Sequence, residues 1–149
     1  MPRNSSGRAP RAARQILIVD NHPLVRRGLA ALIEVEPDLT VCAEASTQAA
    51  GLEAVASFRP DLVMADFSLG DRDGLTLVKD IRSGNSDLPV LVLSMHDAPF
   101  YVERAFRAGA SGYVTKKEPS EIILTAIRCV LSGKKFASPR IATGLDTTW

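Results

Sequence analysis

Four polar residues come directly after short apolar runs, and together they could handle a phosphoryl group. Asp20 follows ILIV, Asp66 follows LVMA, Ser94 follows VLVL and Lys116 follows YVT. Carboxylates bind a divalent metal ion, an amine pairs with a phosphoryl oxygen, and a hydroxyl donates a hydrogen bond to another. If the runs are parallel strands of one sheet, their carboxyl ends meet at one edge, which is where ligands of such folds bind.

The stretch LVMADFSLGDRDGL contains three aspartates within eight residues, Asp66, Asp71 and Asp73. Asp66 ends a buried apolar run and is therefore the reactive candidate. Asp71 and Asp73 lie in SLGDRDG, whose glycines and short polar residues predict a turn before the next helix. Asp73 is also placed to cap that helix and to stabilise its positive N-terminus. We therefore expect structural roles for Asp71 and Asp73.

Strands and helices alternate along the chain. The predicted strands are ILIV (16–19), LTVCA (39–43), DLVMA (61–65), VLVL (90–93) and SGYVT (111–115). Such runs, rich in Val, Ile and Leu, are typical of strands buried on both faces of a parallel sheet. Helical patterns follow each of them, with Pro23 starting the first helix, Gly109 closing the fourth and Ser120 capping the fifth. Five β-α units predict an α/β fold, with a doubly wound five-stranded parallel sheet between two layers of helices.

The composition fits one domain without a membrane anchor. A net charge of +1 on 149 residues argues against a chain that as a whole coats nucleic acid or a membrane surface. No apolar run approaches the roughly 20 residues that cross a bilayer, and no secretory signal precedes the first strand. We therefore expect a cytoplasmic protein. Residues 1–14 carry four arginines and no acid, which predicts a disordered basic leader.

Four segments, in order and at matching spacings, resemble the receiver domain of two-component response regulators. They are ILIVDNHPLVRRGL, RPDLVMADFSLGDRDGL, LPVLVLSMHD and AGASGYVTK. LSMHD and SGYVTK further resemble the NarL-like subfamily, whose receivers precede a LuxR-type helix-turn-helix. The resemblance implies a (βα)5 flavodoxin- or receiver-like three-layer sandwich at residues 15–132. Residues 133–149 would form a linker or tail, and the output domain would be absent from this chain.

The resemblance implies that Asp66 is the phosphoacceptor. A partner histidine kinase would supply the phosphoryl group, and the chain would transfer it only to its own Asp66, so it would not be an enzyme. Mg²⁺ would lie between Asp20, Asp66, the backbone carbonyl of Ser68 and the phosphoryl oxygens. The family usually has a second acid where this chain has Asn21. The amide oxygen of Asn21 is a further candidate ligand, so we expect Mg²⁺ binding that is weakened but not abolished.

The same resemblance implies a conformational switch. Lys116 would pair with one phosphoryl oxygen, Ser94 would move to hydrogen-bond another, and Tyr113 would move inward behind Ser94. The surface of the fourth helix, fifth strand and fifth helix would then repack. The expected output is transcription regulation, with DNA bound only through the absent output domain. Two surfaces for a homodimer stay open, the first and fifth helices or the fourth and fifth.

Two other functions are weighed against the phosphoacceptor. A receiver that no longer depends on phosphorylation would act as a protein-interaction or dimerisation module, and Asn21 favours it. DRDG at 71–74 also resembles the DxDG motif of haloacid-dehalogenase-like phosphatases, whose first aspartate follows directly on a strand. Here the strand ends at Asp66, and four residues, 67–70, intervene before the motif.

The two histidines, His22 and His96, flank the predicted site. Neither has a partner at metal-ligand spacing in the sequence, so we expect loop or helix-capping roles for them.

Overall fold

The computed structural model describes residues 12–69, 72–85 and 87–139, without the side chains of residues 72 and 73. The strands are β1 (Arg14–Val19), β2 (Leu39–Ala45), β3 (Leu62–Asp66), β4 (Ser68–Leu69), β5 (Arg72–Asp73), β6 (Val90–Ser94), β7 (Gly112–Thr115) and β8 (Phe136–Ala137). The helices are α1 (Pro23–Glu34), α2 (Gln48–Phe58), α3 (Gly74–Gly84), α4 (Pro99–Ala108) and α5 (Ser120–Leu131). Most of the predicted leader, Asp71, the side chain of Asp73 and residues 140–149 of the predicted tail lie outside the described residues.

Six strands form one parallel sheet in the order β2-β1-β3-β6-β7-β8. Alternate residues of β1 point to opposite faces, so that Ile16 joins one hydrophobic core and Leu17 joins the other. Helices α1 and α5 cover the first face, and α2, α3 and α4 cover the second. The predicted α/β fold, with a doubly wound parallel sheet between two helical layers, is confirmed.

The sixth strand, β8, lies in the segment for which the sequence predicts a linker or tail. The backbone N–H of Phe136 donates to the carbonyl of Ser111 at 3.1 Å, and that of Ser138 donates to the carbonyl of Tyr113 at 3.1 Å. These bonds extend the sheet beyond β7, so the chain after α5 remains attached to the domain through residue 138. A two-residue strand leaves almost no periodic pattern in the sequence, which is why five strands are predicted and six are found.

The helix ends agree with the sequence at two of three predicted positions. Pro23 lies in the first turn of α1, and Gly109 follows α4 with a positive φ of 113°. The cap predicted for α5 is wrong, because the helix begins at Ser120 and the capping position falls on Pro119. The ring of proline carries no atom that can accept a hydrogen bond from the first turn. No helix among the described residues is both long and apolar enough to cross a membrane.

A tight turn follows the end of β3 and brings α3 close to it. Strands β4 and β5 pair antiparallel, and the chain then enters α3 at Gly74. The N–H of Gly74 donates to the carbonyl of Phe67 at 2.5 Å. A Cβ atom at Gly74 would collide with the carbonyl oxygen of Asp66, so only glycine allows this close approach. The turn thereby fixes the backbone around Asp66.

Candidate functional site

The structure places the four predicted strand-end residues at the carboxyl edge of the main sheet. Asp20 directly follows β1, Asp66 ends β3, Ser94 ends β6 and Lys116 directly follows β7. Parallel pairing of neighbouring strands is what delivers these distant residues to one edge. Asp20, Asp66 and Ser94 are buried, with 2%, 4% and 1% of their surface exposed. Buried carboxylates are costly unless a partner compensates their charge, so their neighbours decide what the site can do.

Lys116 lies between the two buried carboxylates. Its Nζ is 3.1 Å from Oδ2 of Asp20 and 3.2 Å from Oδ1 of Asp66. The backbone N–H of Lys116 donates to the carbonyl of Ser94 at 2.8 Å, which anchors the residue beside β6. One ammonium therefore compensates two acids and leaves a net negative charge in the pocket. Such a pocket attracts a further cation.

The remaining oxygen of each acid faces His22. Nδ1 of His22 is 3.1 Å from Oδ1 of Asp20 and 3.7 Å from Oδ2 of Asp66. The ligand atoms of these three residues all lie within 4.8 Å of one another. His22 occupies the capping position of α1, but its side chain caps no backbone group there. The expectation that His22 lacks a ligand partner is therefore wrong, and the one signal available in the sequence is its position two residues after Asp20.

The surroundings of Asp66 shift the pKa of its carboxyl group. Burial raises the pKa of its carboxyl group above the ordinary value, and the nearby charge of Asp20 raises it further, while Lys116 lowers it. Its Oδ1 accepts a hydrogen bond from the backbone N–H of Ser68 at 3.3 Å. Its Oδ2 is buried and has no hydrogen-bond partner among the described residues. An added cation next to Oδ2 would relieve the cost of this buried charge.

Asn21 carries a second orphaned oxygen at the same edge. Its Oδ1 is buried and, in the described part of the chain, accepts no hydrogen bond. Buried polar atoms of proteins nearly always have a partner, so an orphaned oxygen beside acidic residues points to a missing ligand. Oδ2 of Asp66 lies in the cluster with Asp20 and His22, and Asn21 directly follows Asp20 in the chain, so both residues are candidate ligands of a divalent cation. The carbonyl of Ser68 stays a predicted ligand, two residues from Asp66.

The two predicted switch residues, Ser94 and Tyr113, are joined through the backbone of His96. Oγ of Ser94 accepts from the N–H of His96 at 2.9 Å, and the hydroxyl of Tyr113 donates to the carbonyl of His96 at 2.8 Å. The ring of Tyr113 is fully buried in this conformation, and burial raises the pKa of its hydroxyl to about 12. The ring of His96 stacks on Tyr101 with centroids 4.2 Å apart. A movement of Ser94 would therefore displace His96 and, through it, the ring of Tyr101 on α4.

Comparison with known proteins gives a family match over most of the chain and relatives that are regulators of transcription. Residues 16–128 match the family described as the response regulator receiver domain. The DNA-binding transcriptional activator DevR/DosR of Mycobacterium tuberculosis is 34% identical over 131 residues, which cover 88% of this chain and 60% of that protein. The chain spans about 60% of the length of the curated relatives it matches.

Solved structures agree with the fold. A two-component response regulator of the LuxR family from Aurantimonas sp. SI85-9A1 is 35% identical with a TM-score of 0.85, over 89% of this chain and 94% of that one. The isolated receiver domain of RcsB from Salmonella enterica serovar Typhimurium, solved in the presence of the phosphomimetic BeF3-, is 25% identical with a TM-score of 0.82. That match covers 90% of this chain and 99% of the other.

Proposed function

Because the chain belongs to the response regulator receiver domain family, we propose that it is a phosphorylation-dependent switch in which Asp66 accepts a phosphoryl group from a partner histidine kinase. One observation carries this proposal. Oδ2 of Asp66 is buried at the carboxyl edge of the sheet and has no hydrogen-bond partner in the described part of the chain. A carboxylate oxygen has two lone pairs, so one is available to a phosphorus atom when the other faces a bound cation. Oδ1 is held by Lys116 and Ser68.

The chemistry is the transfer of one phosphoryl group from a donor, the phosphohistidine of the kinase, to an acceptor, the carboxylate of Asp66. Oδ2 of Asp66 attacks phosphorus as the bond from phosphorus to the phosphohistidine nitrogen of the kinase breaks, and an acyl phosphate forms. Lys116 lies 3.2 Å from the other oxygen of Asp66 and can pair with a phosphoryl oxygen without a large movement. The chain contributes positioning and charge compensation, as phosphoryl transfer requires.

The donor set fits Mg²⁺, which would be held by Asp20, Asp66, the orphaned oxygen of Asn21 and the carbonyl of Ser68. When bound, the ion supplies positive charge that offsets the carboxylates and the incoming phosphoryl group together. Asn21 contributes an oxygen but no charge, where the family usually has a second acid. Binding weaker than that of the two-acid site follows from this difference.

The switch would run from Ser94 to α4. A phosphoryl oxygen on Asp66 would accept a hydrogen bond from the hydroxyl of Ser94, whose Oγ here accepts one from the N–H of His96. The hydroxyl of Tyr113 donates a hydrogen bond to the carbonyl of the same residue. The ring of Tyr113 is therefore already in the inward position that we expect after phosphorylation. The packing of His96 against Tyr101 would carry the change to the surface of α4.

The partners follow from the relatives. The curated relatives are transcriptional regulators, and we propose the same role for the protein that carries this chain, with DNA bound by a separate output domain. The exposed side chains of Leu24 on α1 and Phe100 on α4 lie on the helices that the sequence offers for a homodimer. The proposed dimer forms through one of these faces together with α5.

Intact-mass spectrometry tests the phosphorylation directly. The chain is incubated with a small-molecule phosphodonor, with Mg²⁺ or with a chelator, and one added phosphate is expected only with Mg²⁺. Asp66→Asn should abolish the adduct. Asp97→Asn is the matched control, because Asp97 lies three residues beyond Ser94 but is half exposed and pairs with Lys117 at 3.7 Å. An adduct that persists in Asp66→Asn, or that vanishes in Asp97→Asn, would overturn the assignment.

One observation favours a second candidate, a receiver that acts without phosphorylation as a dimerisation or interaction module. Asn21 replaces an acid that the family normally uses for the metal. A folded chain that gains no phosphate at saturating Mg²⁺, while Asn21→Asp gains it, would support this second function.

A further inference from the structure

The site divides the four carboxylate oxygens of Asp20 and Asp66 between two sides. Lys116 lies beside Oδ2 of Asp20 and Oδ1 of Asp66. The other two oxygens face Nδ1 of His22, at 3.1 Å from Asp20 and 3.7 Å from Asp66. Lys116 therefore leaves one oxygen of each acid on the side of His22, and both lie next to a ring nitrogen within a span of 4.8 Å. Oδ1 of Asp20 also accepts a hydrogen bond from the backbone N–H of His22 at 2.8 Å.

Two buried oxygens at this place lack a partner. Oδ2 of Asp66, on a residue that is only 4% exposed, accepts no hydrogen bond from the described residues, and neither does Oδ1 of Asn21. Nδ1 of His22 is at hydrogen-bond distance, 3.1 Å, from Oδ1 of Asp20. The side chain is 60% exposed, so water can bind the ring proton when it is on Nε2, and a cation would then take the place of that hydrogen bond at Nδ1. A cation between these atoms would meet oxygen and nitrogen donors at once.

We propose that His22 supplies a nitrogen ligand to this site and makes the chain selective for first-row transition-metal ions over Mg²⁺. An imidazole nitrogen suits first-row ions such as Fe²⁺, Ni²⁺ and Zn²⁺, whereas Mg²⁺ is a hard ion that prefers oxygen ligands and keeps its water. Asn21 acts in the same direction, since it removes a charge on which Mg²⁺ depends and leaves the nitrogen contribution intact. The inference shares its place, between Asp20 and Asp66, with the proposed function.

Electron spin-echo envelope modulation of bound Mn²⁺ detects a directly coordinated nitrogen. Mn²⁺ is a demanding probe because it is the weakest binder of its series. The untagged full chain is used at about pH 8, where free imidazole is neutral. The chain has two histidines, so His96→Ala, which removes a ring stacked on Tyr101, is the matched control for His22→Ala. Titration of the Mn²⁺ signal, with and without competing Mg²⁺, gives both dissociation constants.

We expect a nitrogen coupling in the wild type and in His96→Ala, and its loss in His22→Ala. The Mn²⁺ dissociation constant should rise at least roughly tenfold in His22→Ala, since loss of even an outer-shell partner of a metal ligand costs that much. The Mg²⁺ constant should stay unchanged. A wild type without nitrogen coupling, a coupling that survives in His22→Ala, or an equal loss of Mn²⁺ and Mg²⁺ affinity would overturn the inference.

The phosphate adduct separates this inference from the proposed function. If His22→Ala still gains a phosphate on Asp66 with Mg²⁺ while the wild type shows no nitrogen coupling, the inference fails and the phosphoacceptor stands. If the nitrogen coupling is present and no adduct forms with either metal, the metal site stands and the phosphoacceptor fails.

Discussion

Replacing Lys116 by methionine removes the cation that lies between the two buried acids and keeps a side chain of similar length. At an effective dielectric constant near 20, its contacts at 3.1 Å with Asp20 and 3.2 Å with Asp66 each correspond to about 5 kcal/mol of gross attraction. The net effect is smaller, because the ammonium is itself largely desolvated. Loss of one partner from a buried ion pair typically costs about 3–5 kcal/mol, and we expect that loss in the free energy of unfolding.

Urea unfolding in the presence of a chelator measures the change. Lys117→Met is the matched control, since Lys117 is the next residue along the chain and its contact with Asp97 is longer, at 3.7 Å, with both side chains about half exposed. Such surface pairs contribute about 0–1 kcal/mol. Saturating Mg²⁺ should narrow the deficit of Lys116→Met, because a cation bound only to the folded state replaces the missing charge and stabilises that state by mass action.

Two results would refute this reasoning. If Lys116→Met unfolds in chelator with the same free energy as Lys117→Met, the ammonium does not compensate the two acids. If Mg²⁺ stabilises the wild type more than Lys116→Met, the metal and the ammonium do not compensate the same charge.

Three further predictions concern Asp66, Asn21 and the turn at Gly74. Burial raises the pKa of Asp66 in the folded state above the pKa of about 4 that it has in the unfolded chain. Protonation of Asp66 therefore adds to the free energy of unfolding below about pH 4, and this contribution is lost as the pH rises through the folded pKa. In chelator, Asp66→Asn should therefore be more stable than the wild type at neutral pH and lose this lead on acidification, as measured by urea unfolding across pH. Asn21→Asp restores a negative charge beside the metal and should tighten Mg²⁺ binding on the order of tenfold, or about 1.4 kcal/mol, in a calorimetric titration; an unchanged affinity would contradict the role given to Asn21. Gly74→Ala should lose about 1–3 kcal/mol of stability because the added methyl group meets the Asp66 carbonyl, whereas Gly28→Ala, with nothing within 4 Å of its Cβ, should gain up to about 1 kcal/mol in thermal unfolding.

The sequence places Asp20, Asp66, Ser94 and Lys116 at one edge because that placement needs only local information. Each residue follows a run of apolar residues that must be buried, and parallel strands present their carboxyl ends together. The direction of the chain through the sheet then brings the four residues to one edge, without any knowledge of side-chain contacts.

Two other features, the start of α5 and the strand β8, do not follow from residue type at a single position. Ser120 is a good capping residue by type, yet α5 starts one residue earlier than that role requires, since Pro119 takes the capping position. Strand β8 is too short to leave a pattern and exists because β7 offers it an unpaired edge, through the carbonyls of Ser111 and Tyr113. The pairing of β8 is decided by residues that its local sequence does not contain, whereas the cap of α5 is decided by the residue directly before Ser120.

The sequence by itself therefore determined the fold and the acidic edge, since burial of apolar runs fixes the strands and the strands fix their ends. Only the tertiary structure decided how the charges are shared there. Lys116 contacts one oxygen of each acid although it lies 96 residues after Asp20. The ring of His22 lies beside the other oxygen of each acid. Such distances depend on strand register and side-chain rotamers, which follow from packing of the whole domain rather than from the residue types around each position.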